Sequence, residues 1–137
     1  MLIIMQGAPG SGKSSFAYKI LESVVCSTDD YFETPDGYRF DRDKIGEAHK
    51  WNQSKCRHFL DWGSSVVVDN TNIHAWEAKP YVQMAVDLGI PVVFVRCTGK
   101  FQNTHGVPDK VVERMRNDME ELTIERCLAA KAPWEVA

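Results

Sequence analysis

The chain alternates short, unbroken apolar runs with longer segments in which apolar residues recur every three to four positions. Leu2, Ile3, Ile4 and Met5 make the first run, which ends at Gly7. Residues 14–22 then carry Phe16, Ala17, Ile20 and Leu21 at helical spacing, so strand, loop and helix are predicted in that order. Val24, Val25 and Cys26 form a short second strand, and the polar stretch after it contains the turn signature Pro35-Asp36-Gly37. A helix predicted over residues 42–62 places Ile45, Ala48 or His49, Asn52, Cys56 and Phe59 or Leu60 on one face, with Gly63 as its stop. That inward face is partly polar. Val66, Val67 and Val68 precede Asp69 without alternation, as in a parallel strand covered on both sides.

Residues 73–88 read as a helix with Trp76, Tyr81, Met84, Ala85 and Leu88 as apolar positions, Pro80 early in it and Gly89 as its stop. Residues 91–95 are a fourth buried strand. After a polar stretch over residues 98–106, Pro108 suits the first turn of a helix running to about residue 122, with Val111, Val112, Met115, Met119 and Leu122 inward. Residues 131–137 read as a loose tail. Strand and helix alternate, so the expected fold is α/β, with a mostly parallel sheet of about four strands, helices on both faces and right-handed crossovers.

Length and charge narrow this picture. With 137 residues there is room for a single domain, residues 1–137, that folds around its own core. Sixteen Lys and Arg against 19 Asp and Glu leave a net charge of -3, which argues against broad coating of nucleic acid and for a local grip on any that binds. Cys26, Cys56, Cys97 and Cys127 stand far apart, so a reduced, cytoplasmic protein without disulfides is expected. No apolar stretch is long enough for a membrane span, and residues 1–5 lack the charged start of a signal peptide; no membrane partner is expected, and the chain is expected to begin in a strand.

Gly7-Ala8-Pro9-Gly10-Ser11-Gly12-Lys13-Ser14 satisfies G-x-x-x-x-G-K-[ST] between a buried strand and a helix. Its glycines let backbone N–H groups approach an anion, Lys13 reaches β- and γ-phosphates, and the Ser14 hydroxyl can ligate Mg²⁺. The motif makes the fold a P-loop NTPase-type three-layer sandwich, with strand order 2-3-1-4 if the Asp69 strand neighbours the Met5 strand. Asp69 then emerges beside the phosphate loop, either to hold Mg²⁺ or to cap the turn through Asn70-Thr71-Asn72. Asp29-Asp30 follows the second strand at the ligand-binding edge of the sheet, as an acid that orients a hydroxyl nucleophile or as a turn element. Residues 98–108 form a short lid carrying Lys100 and His105, to keep water from the reaction. Lys110, Arg114 and Arg116 read mainly as a solvated helix face. The four histidines form no metal constellation, with His58 and His74 read as surface or capping residues and His49 set on the inward helix face. Trp51, Trp62, Trp76 and Trp134 form no stripe that suggests an extended stacking platform, whereas Tyr31, Phe32, Tyr38 and Phe40 flank the Asp pair and can offer a ring to a nucleobase.

The segments GAPGSGKSS, STDDYF, YRF, EAH, VVVDNTN and HGVP, in this order and spacing, resemble the P-loop polynucleotide kinase family and the AAA-like ATP-binding domains grouped with it, over roughly residues 1–122. The resemblance implies ATP and Mg²⁺ as cofactors and transfer of the γ-phosphate to the 5′-hydroxyl of a polynucleotide. It implies that residues Gly7, Ala8, Pro9, Gly10, Ser11, Gly12, Lys13, Ser14 and Ser15 cradle the phosphates, with Ser14 and Asp69 on the metal. Asp29 would be the general base, with Lys13 as the second catalytic residue. The acceptor would meet Asp30, Tyr31, Tyr38, Asn70, Thr71 and Asn72, and Lys100 and His105 would sit in the lid. Two positions depart from the family pattern. Phe32 stands where an arginine helps hold the acceptor-side phosphate, and Phe101-Gln102-Asn103-Thr104-His105 offers no lid arginine, so transition-state charge would rest on Mg²⁺, Lys13 and backbone N–H groups, with Lys100, His105 or Arg114 as further candidates. A kinase for a nucleoside, nucleotide or other small hydroxyl acceptor, and a nucleotide-binding switch with little transferase activity, are the alternatives.

Overall fold

The computed structural model describes residues 1–19, 22–101 and 106–135. Strand β1 (Leu2–Gln6) leads through a glycine turn into the short helix α1 (Lys13–Ala17), and β2 (Ser23–Cys26) follows. A 3-10 segment, Thr28–Phe32, opens onto the antiparallel hairpin of β3 (Glu33–Thr34) and β4 (Gly37–Tyr38). Helix α2 (Ile45–Asp61), β5 (Ser65–Val68), α3 (Ala75–Asp87) and β6 (Val92–Arg96) complete the alternation, and α4 (Asp109–Asp118) and α5 (Ile124–Ala129) close it.

The sheet is parallel, in the order β2-β5-β1-β6. By rank among its four strands this is 2-3-1-4, the order expected from the sequence. β1 is central and buried along its whole length, with Leu2 paired to Val66 on one side and to Val92 on the other. Its pleat divides the core. Leu2 and Ile4 join Val66 and Val68 against Leu60 of α2, Tyr81 and Val82 of α3, and Cys127 of α5; Ile3, Met5 and Val67 pack with Ala17 of α1. Gly63 and Gly89 take the positive φ, 83° and 69°, that ends a helix at little cost for glycine. The cysteines are free, with Cys26, Cys56 and Cys127 buried and Cys97 partly so.

Four expectations change. Helix α1 has five residues rather than nine, and Phe16 is exposed, because only Ala17 of so short a helix reaches the sheet; Ile20 and Leu21 lie outside the described residues. β6 is an edge strand and only partly buried, with Val93 facing out. The helix expected to run to residue 122 stops at Asp118, because tertiary hydrogen bonds draw Glu120 out of it: its N–H donates to Ile73 O at 2.9 Å, and its carbonyl accepts from Gln6 Nε2 at 2.7 Å. Thr123 then starts α5, its hydroxyl accepting from Arg126 N–H at 3.1 Å. The tail is ordered at Pro133–Glu135, a 3-10 turn whose Trp134 meets Trp76.

Candidate active site

The carboxyl ends of β1 and β5 bring the phosphate motif and Asp69 to the same edge of the sheet. Gly10 and Gly12 hold φ near 82° and 85°, a region other side chains avoid, and a Cβ on Gly12 would stand 3.1 Å from the Phe101 ring. The loop is fastened on both flanks, with Gly7 N–H donating to Thr71 O at 3.0 Å and Phe101 N–H donating to Gly10 O at 2.7 Å. Lys13 and Asp69 are both buried, and Lys13 Nζ lies 3.8 Å from Asp69 Oδ1.

Burial pushes the Asp69 carboxyl above the usual carboxylate range; Lys13 and the Ser14 hydroxyl pull it back, while Asp30 and Asp29 add to the rise. Its Oδ1 and the buried Ser11 Oγ have no hydrogen-bond partner. The unpaired Asp69 oxygen, on a carboxylate that the Ser14 hydroxyl also stabilises, offers the hard oxygens that fit a hydrated Mg²⁺. Among the described residues no group of three or more His, Cys, Asp or Glu could hold a metal alone, so a cation here would also lean on phosphate oxygens.

A cleft of about 810 Å³ runs from Lys13 and Asp69 to Asp29 and Tyr38 and includes Asn70, Thr71 and Asn72 in its lining. Asp29 is exposed, and the Tyr38 hydroxyl reaches its Oδ1 at 3.5 Å. Asp30 and Tyr31 are not in that lining. Burial raises the Asp30 carboxyl against the pull of Lys55, and the Tyr31 hydroxyl donates instead to Glu47 at 2.9 Å. Lys100 lines a second cavity, of about 510 Å³, with Phe101, Val112 and Arg116; Pro9 borders both spaces. His105 lies outside the described residues. His74 begins α3, its N–H donating to Glu77 Oε2 at 2.8 Å, in line with a capping role.

Hydrogen bonds that the sequence did not announce hold this edge together. Asn70 Oδ1 accepts from Thr28 N–H at 3.0 Å, one residue before Asp29, and Asn70 Nδ2 donates to the Tyr81 hydroxyl at 3.4 Å. The same hydroxyl accepts from the fully buried Asn52 at 2.9 Å, so α2 and α3 jointly hold the turn that presents Asp29. Behind the sheet edge, Gln6 Nε2 donates to Asn72 O at 3.0 Å while its Oε1 accepts from Arg96 Nε at 2.9 Å. A polar Gln6 at the end of an apolar strand was the visible signal for this second network; Tyr81 gave none, because its period alone marks it as core.

A parallel sheet in this order, with a glycine-rich phosphate loop after its central strand and an acid after the neighbouring one, defines a P-loop nucleotide-binding domain of the kinase-like type. The AAA domain family matches residues 2–100, and the chain belongs to it. NEDD4-binding protein 2 of Homo sapiens is 38% identical over 129 residues, covering 84% of this chain but 7% of that protein. Among solved structures, a chain of the Pnkp1/Rnl/Hen1 RNA repair complex shares the fold with a TM-score of 0.68 and 21% identity, covering 86% of this chain and 43% of that one. The Mycobacterium tuberculosis APS kinase CysC, solved with AMPPNP and APS, gives a TM-score of 0.53 at 23% identity, with 82% and 66% covered. The chain thus spans only a small part of the curated relative and under half of the repair-complex chain. No helix among the described residues is long and apolar enough to cross a membrane.

Proposed function

We propose that the protein transfers the γ-phosphoryl group of ATP to the 5′-hydroxyl at a polynucleotide end, residues 1–137 acting as one kinase domain with a lid over residues 98–108. The observation that carries this reading is that Asp29 lines the same cleft as Pro9 and Lys13 of the phosphate loop and Asp69. The phosphate loop binds the triphosphate through its backbone N–H groups, and Lys13 neutralises charge on the β- and γ-phosphates. Ser14 and Asp69 would hold Mg²⁺, which would supply further neutralisation of phosphate charge. Asp29 accepts a hydrogen bond from the acceptor hydroxyl, orients it and takes its proton late in a loose transition state. Tyr38 positions that carboxylate from the hairpin.

Incubation with γ-labelled ATP, Mg²⁺ and a 5′-hydroxyl oligonucleotide is expected to label the 5′ end. Asp29→Asn is expected to cut labelling by about 10²- to 10⁴-fold while ATP binding, measured by calorimetry, is retained. Labelling at the unsubstituted rate would reject Asp29 as the base. One observation favours a small hydroxyl acceptor instead. Phe32 is buried against the rings of Tyr38 and Phe40, so this position gives an acceptor phosphate no cation. Ready phosphorylation of mononucleosides with no inhibition by short oligonucleotides would decide for that second reading.

A further inference from the structure

We propose that Trp134 and Trp76 form a stacking site for a nucleobase of the acceptor strand, a deepening that rests on the polynucleotide reading above. Trp134 sits on the Pro133–Glu135 turn and is 74% exposed, its ring edge-on to Trp76 with centroids 5.2 Å apart. Trp76, at the start of α3, is itself stacked on His74 with the planes 8° apart. The inner ring is therefore fixed and the outer one is held against it, with most of its surface left to solvent. An indole so exposed in a pocket mouth has apolar surface to gain from a planar ligand.

The location selects the ligand. Both indoles line the cleft that contains Lys13 and Asp29, and the exposed rings of Tyr38 and Phe40 line it from the hairpin side. Lys50 and Lys79 also line it, and Lys79 Nζ is held at 2.9 Å from Ala130 O, just ahead of the tryptophan turn. Rings interspersed with cations along one groove are the chemistry that binds a single strand, bases on the rings and phosphates by the lysines. Glu135 shares the turn with Trp134, which disfavours a phosphate there and suits a neutral base. A separate cavity beyond Pro9, lined by Phe101, Lys100 and Arg116, leaves space outside this cleft for the base of ATP. The four tryptophans show no stripe along the sequence; the fold pairs two of them.

The test measures anisotropy of a 3′-dye-labelled, 5′-hydroxyl octanucleotide without ATP, and steady-state labelling with ATP, for the intact chain and for Trp134→Ala and Trp134→Phe. Trp134→Ala is expected to weaken octanucleotide binding and raise its KM by about tenfold, the scale of one lost stacking contact, with KM for ATP unchanged. Trp134→Phe keeps a ring and is expected to recover most of the loss. An octanucleotide made abasic beyond its first nucleotide is expected to bind the intact chain and Trp134→Ala alike. If the intact chain labels the octanucleotide and Trp134→Ala binds it equally well, the stacking site is overturned while the kinase reading stands. If the intact chain neither binds nor labels any 5′-hydroxyl oligonucleotide but phosphorylates mononucleosides, both the stacking site and the polynucleotide reading fall.

Discussion

On the phosphate side of the cleft, Lys13 and Asp69 are buried, face each other at 3.8 Å and lie where the phosphate loop and the end of β5 are fastened by backbone hydrogen bonds. On the acceptor side Asp29 is exposed, and its contact with Tyr38 spans 3.5 Å on a hairpin of two-residue strands. The difference separates two tasks. Groups that stabilise phosphate charge work best when fixed beforehand in a dry environment, where they need no reorganisation during the reaction. An acceptor grip can stay open, because the incoming strand completes it and excludes water on arrival.

Lys13→Ala tests the buried side hardest. Loss of the fixed cation is expected to lower kcat/KM by about 10³-fold and to abolish ATP binding in calorimetry; an effect under tenfold would break the contrast. Tyr81→Phe tests the joint between the two sides. It strips the shared acceptor from Asn52 and Asn70 and is expected to cost about 2 kcal/mol in denaturant unfolding, with kcat falling further than KM for ATP rises.

Asp69→Asn sharpens the contrast through its pH dependence. Burial raises the folded-state pKa of Asp69 above its unfolded value, so ionisation of this carboxyl disfavours the folded state. The contribution of the neutral form is fully present below about pH 4 and is lost as pH climbs through the raised folded value. The asparagine variant is therefore expected to melt a few degrees higher than the parent at pH 7, to match it below about pH 4, and to be inactive throughout. A lower melting point at pH 7 would mean that the Lys13 pairing outweighs burial. Tyr38→Phe is the mildest change. A long, half-exposed hydrogen bond is expected to contribute less than threefold to kcat, and a loss like that of Lys13→Ala would show that the acceptor side is as fixed as the phosphate side.

The parts of this site legible in the sequence are those made within one stretch of chain. The phosphate loop announces itself because its glycines, Lys13 and Ser14 must be contiguous to wrap one anion, and Val66 to Asp69 marks its partner strand by unbroken β-branching. What stayed hidden depends on residues distant in sequence. Glu120 stops α4 through bonds to Ile73 and Gln6, with no glycine or proline to signal it. Trp134, in a tail read as loose, acquires its place only by meeting Trp76. The paired acids Asp29 and Asp30 look equivalent along the chain, yet the turn pinned by Asn70 sends only the first into the cleft lining.

The free cysteines extend the same division to the time axis. Cys26 ends β2 one residue before the Asp29 turn begins at Ser27, and it shares a core cluster with Cys56 on α2, both shut away from solvent. Neither can meet an alkylating reagent until β2 parts from α2, while Cys97, partly exposed after β6, needs less opening. The molecule thus carries two native stopwatches, one for breathing at the sheet edge and one for separation of the layers beneath the acceptor turn.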